Sequence, residues 1–398
     1  MRTINENMTE EIFDQDPYVF EFEGAVVSVN GNEVILDSTA FYPGGGGQVC
    51  DTGTISGKNV IEVFRKNDDI VHIIPGHDLK VGSLVWGSVD WNRRYDLMKG
   101  HTAEHLLFGS LKKNFPELGI VKIFISPESK YVVVDKDVSW ETIREAVKRV
   151  NGVIADNVSI RKSTMERDDP ELENVRVDLD KVKTNEITVI EIGDADAAAC
   201  SGIHVMETDE LGAICVDRKV SAGKDGFAIH FRIGWDAINT SAELGSKCVE
   251  VSEKLGSKPE DILNTADNMK DQTESLRKSV KVLITSALKA MPSESVNGVN
   301  VYLGSFPAAD GKIFMDACEQ YRVAGSVAIM ISSGTSSSVF ISSGSPKVDC
   351  GAILKTALVK YEGRGGGKKE FAQGGIPDSK SADALLKDLF ESVKKALS

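Results

Sequence analysis

The chain has 398 residues, 41% of them hydrophobic and 27% charged, with a formal net charge of −14. That length predicts two to four folded units, and no apolar run reaches the roughly 18 residues a membrane helix needs. The acidic balance argues against charge-driven coating of DNA and does not exclude a structured RNA read by local basic surface; six scattered cysteines without a CxxC pair, behind a polar amino terminus that is no leader, point to a reducing compartment, the cytoplasm.

Residues 1–90 read as a small antiparallel β-barrel. Two apolar runs between Gly24 and Leu36 are joined by Asn30-Gly31, a strong hairpin signal. Further short strands are expected at 59–65, 69–74 and 84–90. Between them Phe41-Tyr42-Pro43 leads into four glycines and Gln48. Such a backbone can approach a ligand closely, but it has neither P-loop nor dinucleotide-fingerprint spacing. Gln48, with two donors and an acceptor, stands where a substrate could be read.

Residues 91–234 read as an α+β layer. A helix over 94–114 carries His101 and His105, whose i, i+4 spacing projects both rings from one face. Strands are expected at 131–134, 188–192, 214–220 and 227–233, and a helix at 140–151. The strand at 188–192 delivers Gly193-Asp194 and then Cys200-Ser201-Gly202-Ile203-His204. Three imidazoles and one thiolate make a nitrogen and sulfur donor set, which suits Zn²⁺ rather than Mg²⁺ or Ca²⁺. Two other readings stand beside a catalytic zinc. Four protein ligands could close a purely structural site, and His-Thr-Ala-Glu-His also fits the H-x-x-E-H pattern of inverted zinc proteases, with Glu104 activating water.

Residues 235–291 read as a helical arm. Two short turns ending at Gly256 are expected, then a capping box with proline at Ser257-Lys258-Pro259-Glu260. Ile262, Met269, Leu276 and Leu283 then repeat every seven residues, a stripe that fits a coiled coil between two copies or packing within one chain. Residues 292–398 read as an α/β unit, with strands at 299–303, 326–331 and 339–342 and helices at 349–361 and 381–397. Between those helices a glycine-rich loop with Arg364, Lys368 and Lys369, and Lys360 just upstream, is the candidate contact for a sugar-phosphate backbone.

The aromatic-Pro-glycine run with Gln48, His101-Thr102-x-x-His105, Gly193-Asp194 before Cys200-x-Gly202-x-His204, and the closing Ala372-Gln373-x-Gly375 occur in this order. Together they resemble the stand-alone alanyl-tRNA editing proteins (the AlaX family, long form), relatives of the editing half of alanyl-tRNA synthetase, over nearly the whole chain. The C-terminal module is similar to one also found in DHH-type phosphoesterases, but no Asp-His-His triplet is present.

The resemblance implies an α+β multidomain chain: β-barrel, zinc-binding editing domain, helical arm and C-terminal glycine-rich domain, with no aminoacylation domain ahead of them. It implies a zinc-dependent hydrolase acting on alanine tRNA mischarged with serine or glycine. His101, His105, Cys200 and His204 would hold the metal, and Thr102 and Gln48 would recognise the amino acid, Thr102 being the expected partner of a serine hydroxyl. Glu104 is the candidate base, and Asp194 matches a position without an assigned role. A homodimer through the arm or the C-terminal domain is also implied. Where the family reads Cys-Gly-Gly-Thr-His, this chain reads Cys-Ser-Gly-Ile-His, which keeps the ligands and bears on specificity and rate. The non-enzymatic alternative is a tRNA-binding or dimerisation protein with a structural zinc.

Overall fold

The hairpin expected at Asn30-Gly31 forms one residue later, with Gly31-Asn32 as its two-residue turn between the paired Asn30 and Glu33. Gly31 takes φ 62°, which costs glycine no Cβ clash, and Glu21–Asn30 pairs antiparallel with Glu33–Leu36. The computed structural model describes residues 9–180 and 182–398. In it this hairpin is the middle of a seven-stranded sheet in the order Lys58–Val60, Gly53–Ile55, Leu84–Val89, Glu21–Asn30, Glu33–Leu36, Asp69–Ile73, Glu62–Lys66. The single strand expected at 59–65 is therefore two strands, broken at Ile61, and they lie at opposite ends of the sheet. Because one residue links the two ends, the sheet curls most of the way to closure. It is a near-barrel rather than a closed barrel, since no ladder joins its end strands. Val26, Val34, Leu36, Phe41, Ile55 and Ile70 fill its interior.

The helix carrying the histidine pair runs Trp91–Asn114, three residues earlier than the pattern predicts, because the Asp90 side chain accepts from Arg93 N and caps it. Leu97, Leu106, Leu107 and Leu111 bury its apolar side. With the helix Trp140–Ala155 it covers one face of a four-stranded antiparallel sheet, ordered Ile120–Ile125, Lys130–Val134, Phe227–Ile233, Ile214–Ser221. A three-stranded sheet of Ile160–Glu166, Glu186–Ile192 and Asp196–Ala199 leads into Cys200. The helix is tied to the near-barrel by a fully buried ion pair. Arg94 donates to Asp51 and to the carbonyls of Pro17 and Ala40, while Asp51 also accepts from Tyr42 N at 2.7 Å.

The chain divides into two compact units between Val251 and Ser252. A single helix, Gly234–Leu255, replaces the two short turns expected before Gly256. The capping box does not form: Ser257 Oγ donates to the carbonyl of Lys258, and the helix Ile262–Lys289 has no side-chain cap. On that helix Met269, Leu276 and Leu283 are exposed. Ile284 and Leu288, at i, i+4 spacing, are the residues buried against Phe306 and Phe314.

The C-terminal sheet has six strands in the order Ser293–Val296, Val299–Pro307, Val327–Ser333, Ser337–Ser343, Phe371–Ile376, Arg364–Gly367. Its one parallel pair needs a crossover, which the unexpected helix Gly311–Val323 supplies. The helices Cys350–Lys360 and Ala382–Leu397 pack on the other face. The segment expected to be a glycine loop is a β-hairpin instead. A Cβ at Gly365 would lie 2.3 Å from Gly374 Cα, and one at Gly374 2.6 Å from Leu358, so these glycines let the two strands and the neighbouring helix close on each other.

His72 is wholly buried in the near-barrel. It donates from Nδ1 to the carbonyl of Val34 and accepts at Nε2 from Thr39. Burial lowers its pKa to about 4. A folded-state value below the unfolded one means the unfolded chain takes the proton first. The stability contributed by neutral His72 is therefore complete above about pH 6.5 and is lost as pH falls to about 4, a span worth roughly 3 kcal/mol at most. His72→Gln should flatten the decline in unfolding free energy between those two pH values, measured by urea titration; an unchanged slope would show that His72 does not set it.

Candidate metal centre

His101 and His105 project from adjacent turns of the Trp91–Asn114 helix, and Cys200 and His204 come from the loop after the strand Asp196–Ala199. The fold closes these segments on each other, so that one ligand atom from each of the four residues lies within 4.8 Å of the others. Cys200 Sγ is 3.5 Å from His101 Nε2 and 3.4 Å from His204 Nε2. A tetrahedral zinc with Zn–S about 2.3 Å and Zn–N about 2.0 Å places sulfur and nitrogen about 3.5 Å apart. The donors therefore stand at the edge length the metal needs.

Close approach is built into the backbone. A Cβ at Gly202 would lie 2.3 Å from His101 Cε1, and Gly46 of the glycine run faces the same ring. No side chain at 202 fits beside this imidazole.

Each imidazole has an oxygen partner on the nitrogen facing away from the cluster. His101 Nδ1 donates to Gln48 Oε1 at 3.0 Å and His204 Nδ1 to Thr102 Oγ at 3.1 Å. His105 Nδ1 lies 3.3 Å from Asp196 Oδ2; its alignment falls short of a hydrogen bond, so the attraction is electrostatic. Asp196 is in turn gripped by Arg176 through two bonds of 2.7 and 2.6 Å. Partners of this kind fix the tautomer and turn Nε2 towards a metal. Burial alone would push the Cys200 thiol up, but the surrounding imidazoles, His101 foremost, hold it well below the usual thiol range. Burial pushes His204 down, to about 3. For His105 burial acts downward as well, but Asp196 and Cys200 outweigh it and raise the pKa.

The expected site residues separate into two groups. Gln48, His101, Thr102, Glu104, His105, Cys200 and His204 come together, and all but half-buried Cys200 are buried. The Thr102 hydroxyl is committed to His204 and also accepts from Val205 N. The Gln48 amide nitrogen is buried without a partner. Glu104 does not face solvent: it is wholly buried, one carboxylate oxygen lacks a partner, and burial raises its pKa against the pull of His105 and Arg176. Ser201 points outward, and Ile203 is packed into the main core. The remaining candidates, Lys360, Arg364, Lys368 and Lys369, lie exposed in the C-terminal unit, where Lys360 pairs with Asp388 at 2.6 Å.

Two residues that matter here were not read from the sequence. Asp194 is exposed and only its carbonyl is used, by Lys113, whereas Asp196 faces His105. Arg176 lies in a stretch of little regular structure with no motif to mark it.

A family model described as "tRNA synthetases class II (A)" matches residues 7–93, and one described as "DHHA1 domain" matches residues 307–395. An alanine–tRNA ligase of Ignicoccus hospitalis is 33% identical over 73% of this chain and 33% of its own length. That of Thermofilum pendens is 29% identical over 98% of this chain and 44% of its own. The chain thus spans less than half the length of these ligases. The alanyl-tRNA editing protein AlaX-L of Pyrococcus horikoshii is 28% identical over 93% of this chain and 95% of its own. Among solved structures, the C-Ala domain from Aquifex aeolicus alanyl-tRNA synthetase matches 27% of this chain and 99% of its own, at 22% identity and TM-score 0.23.

Purified protein should bind one zinc, and Cys200→Ala should lower the affinity at least a hundredfold in chelator competition; a variant that kept its zinc would exclude Cys200 as a ligand. Since His105 holds its proton in the ion-free protein, zinc uptake near neutral pH should release about one proton and weaken as pH falls. Calorimetry in buffers of different ionisation enthalpy reads that proton.

Proposed function

We propose that this homologue of the alanyl-tRNA editing protein AlaX-L hydrolyses the ester joining a wrong amino acid, serine first and glycine second, to alanine tRNA in the cytoplasm. The observation that carries this reading is the buried cluster of His101, His105, Cys200 and His204 with Gln48 laid against it. The similarity to AlaX-L, 28% identity along nearly the full length of both chains, supports it from the side of the sequence. Held by these four donors, zinc would supply positive charge that shapes the pocket and orients the aminoacyl group, with a separately placed water attacking.

The chemical problem is to cleave a seryl ester and spare an alanyl ester that lacks one hydroxyl. A buried polar group awaiting that hydroxyl discriminates by roughly 10⁴ or more, because alanine leaves it unpaired. The Gln48 amide nitrogen is such a group. Its oxygen is tied to His101, so the amide is already oriented when substrate arrives. Thr102 shares the recognition role through its hold on His204. Glu104, whose basicity burial raises, takes the proton of the attacking water. The four donors leave no coordination need for the downstream carboxylate of a zinc protease, and the cluster therefore favours ester editing.

Deacylation of seryl-, glycyl- and alanyl-tRNA with wild type and His101→Ala tests the reading. Wild type should hydrolyse the seryl ester far faster than the alanyl ester, and the variant should lose that activity. Intact seryl-tRNA after hours with zinc-loaded protein would leave a tRNA-binding protein with a structural zinc. Glu104→Gln should lower the rate by about 10²-fold or more with zinc content unchanged.

Arg364, Lys368 and Lys369 are proposed to meet the RNA backbone. Replacing one of them by Ala should reduce the slope of log affinity against log salt by about one. A slope unchanged in all three variants would remove them from the interface.

A further inference from the structure

The path from His105 to solvent runs through Asp196 and Arg176. The Asp196 side chain is 2% exposed and receives both guanidinium bonds, while the Arg176 side chain is 25% exposed. The guanidinium lies 5.1 Å from the ring centre of Phe108, three residues beyond His105 on the same helix. The Asp196 carboxylate sits against the helix only because residue 109 is glycine: a Cβ there would be 2.5 Å from Asp196 Oδ1.

The main chain of Arg176 does separate work. Its N–H donates to the carbonyl of Ala197 at 2.8 Å, and its carbonyl accepts from Ala199 N at 3.0 Å. Arg176 thus adds one extended residue to the edge of the strand Asp196–Ala199, which leads into Cys200. One residue therefore holds both the carboxylate facing one metal donor and the strand that presents another.

We infer that Arg176 is a positioning residue for the metal centre, acting through Asp196 on His105 and through its backbone on Cys200. This rests on the reading of the four side chains as a zinc site and is independent of the substrate. A planar fork matching both carboxylate oxygens is what the geometry uses, and lysine cannot reproduce it. Loss of such an outer contact weakens metal binding by roughly 10- to 100-fold.

The test is zinc affinity by chelator competition, with the cobalt(II)-substituted absorption spectrum as a second readout. Arg176→Gln should bind zinc roughly 10- to 100-fold more weakly and shift the cobalt bands, and Arg176→Lys should fall between it and wild type. Gly109→Ala, which favours the helix yet displaces Asp196, should also weaken binding, and it covers the case in which Arg176→Gln does not fold. Arg167 braces the same segment through the carbonyls of Leu179 and Val182 without touching Asp196. Arg167→Gln should stay within about twofold of wild type.

Affinity and cobalt bands unchanged in Arg176→Lys and Gly109→Ala would overturn the inference, as would an equal loss in Arg167→Gln. Wild-type protein that took up no zinc would instead overturn the metal reading beneath it.

Discussion

Burying three imidazoles and a thiol within 4.8 Å of one another is unfavourable unless their polar atoms are satisfied and their charges shared. That constraint organises the first unit. Gln48 on the near-barrel, Thr102 on the helix itself and Asp196 on the three-stranded sheet each meet one outward ring nitrogen. The inward nitrogens and Cys200 are left facing one another. Three pieces of secondary structure are thereby committed to one point, and each contributes an orienting group as well as packing.

The buried Arg94–Asp51 pair supports the same point from two turns earlier on the same face of the helix. It joins the first turns of the histidine helix to the chain on both sides of the glycine run, at Ala40 and Asp51. Gln48 is thus delivered to His101 by a backbone pinned at both ends, and the run pairs with Ile125 along the edge of the four-stranded sheet. A buried ion pair is a poor source of stability when well-packed apolar groups could replace it. Here it sets the register between the near-barrel and a helix that must agree to within a hydrogen bond.

The C-terminal unit uses its glycines for packing. They let the hairpin Arg364–Ile376 lie close beneath Leu358, and they leave Arg364, Lys368 and Lys369 on the outside. Packing and exposure are compatible here, because the glycines face the helix while Arg364 on its strand and Lys368 and Lys369 in the turn stay exposed.

Periodicity and local turn chemistry made much of this legible from the residues alone. The hairpin at Gly31, the histidine helix, the strand before Cys200 and the four donors follow from short-range rules, since i, i+4 spacing and two-residue glycine turns are decided within a few residues. The break at Ile61, the helix Gly311–Val323 and the hairpin at 364–376 did not follow, because pairing between distant strands decided them. Asp196 and Arg176 were hidden for the same reason: one is an ordinary aspartate two residues beyond the one the motif marks, and the other sits in a segment with no pattern. The order of residues alone thus determined which side chains could bind a metal. Tertiary structure decided which oxygens would stand behind them, because a second partner is chosen by distance in space and not by spacing along the chain.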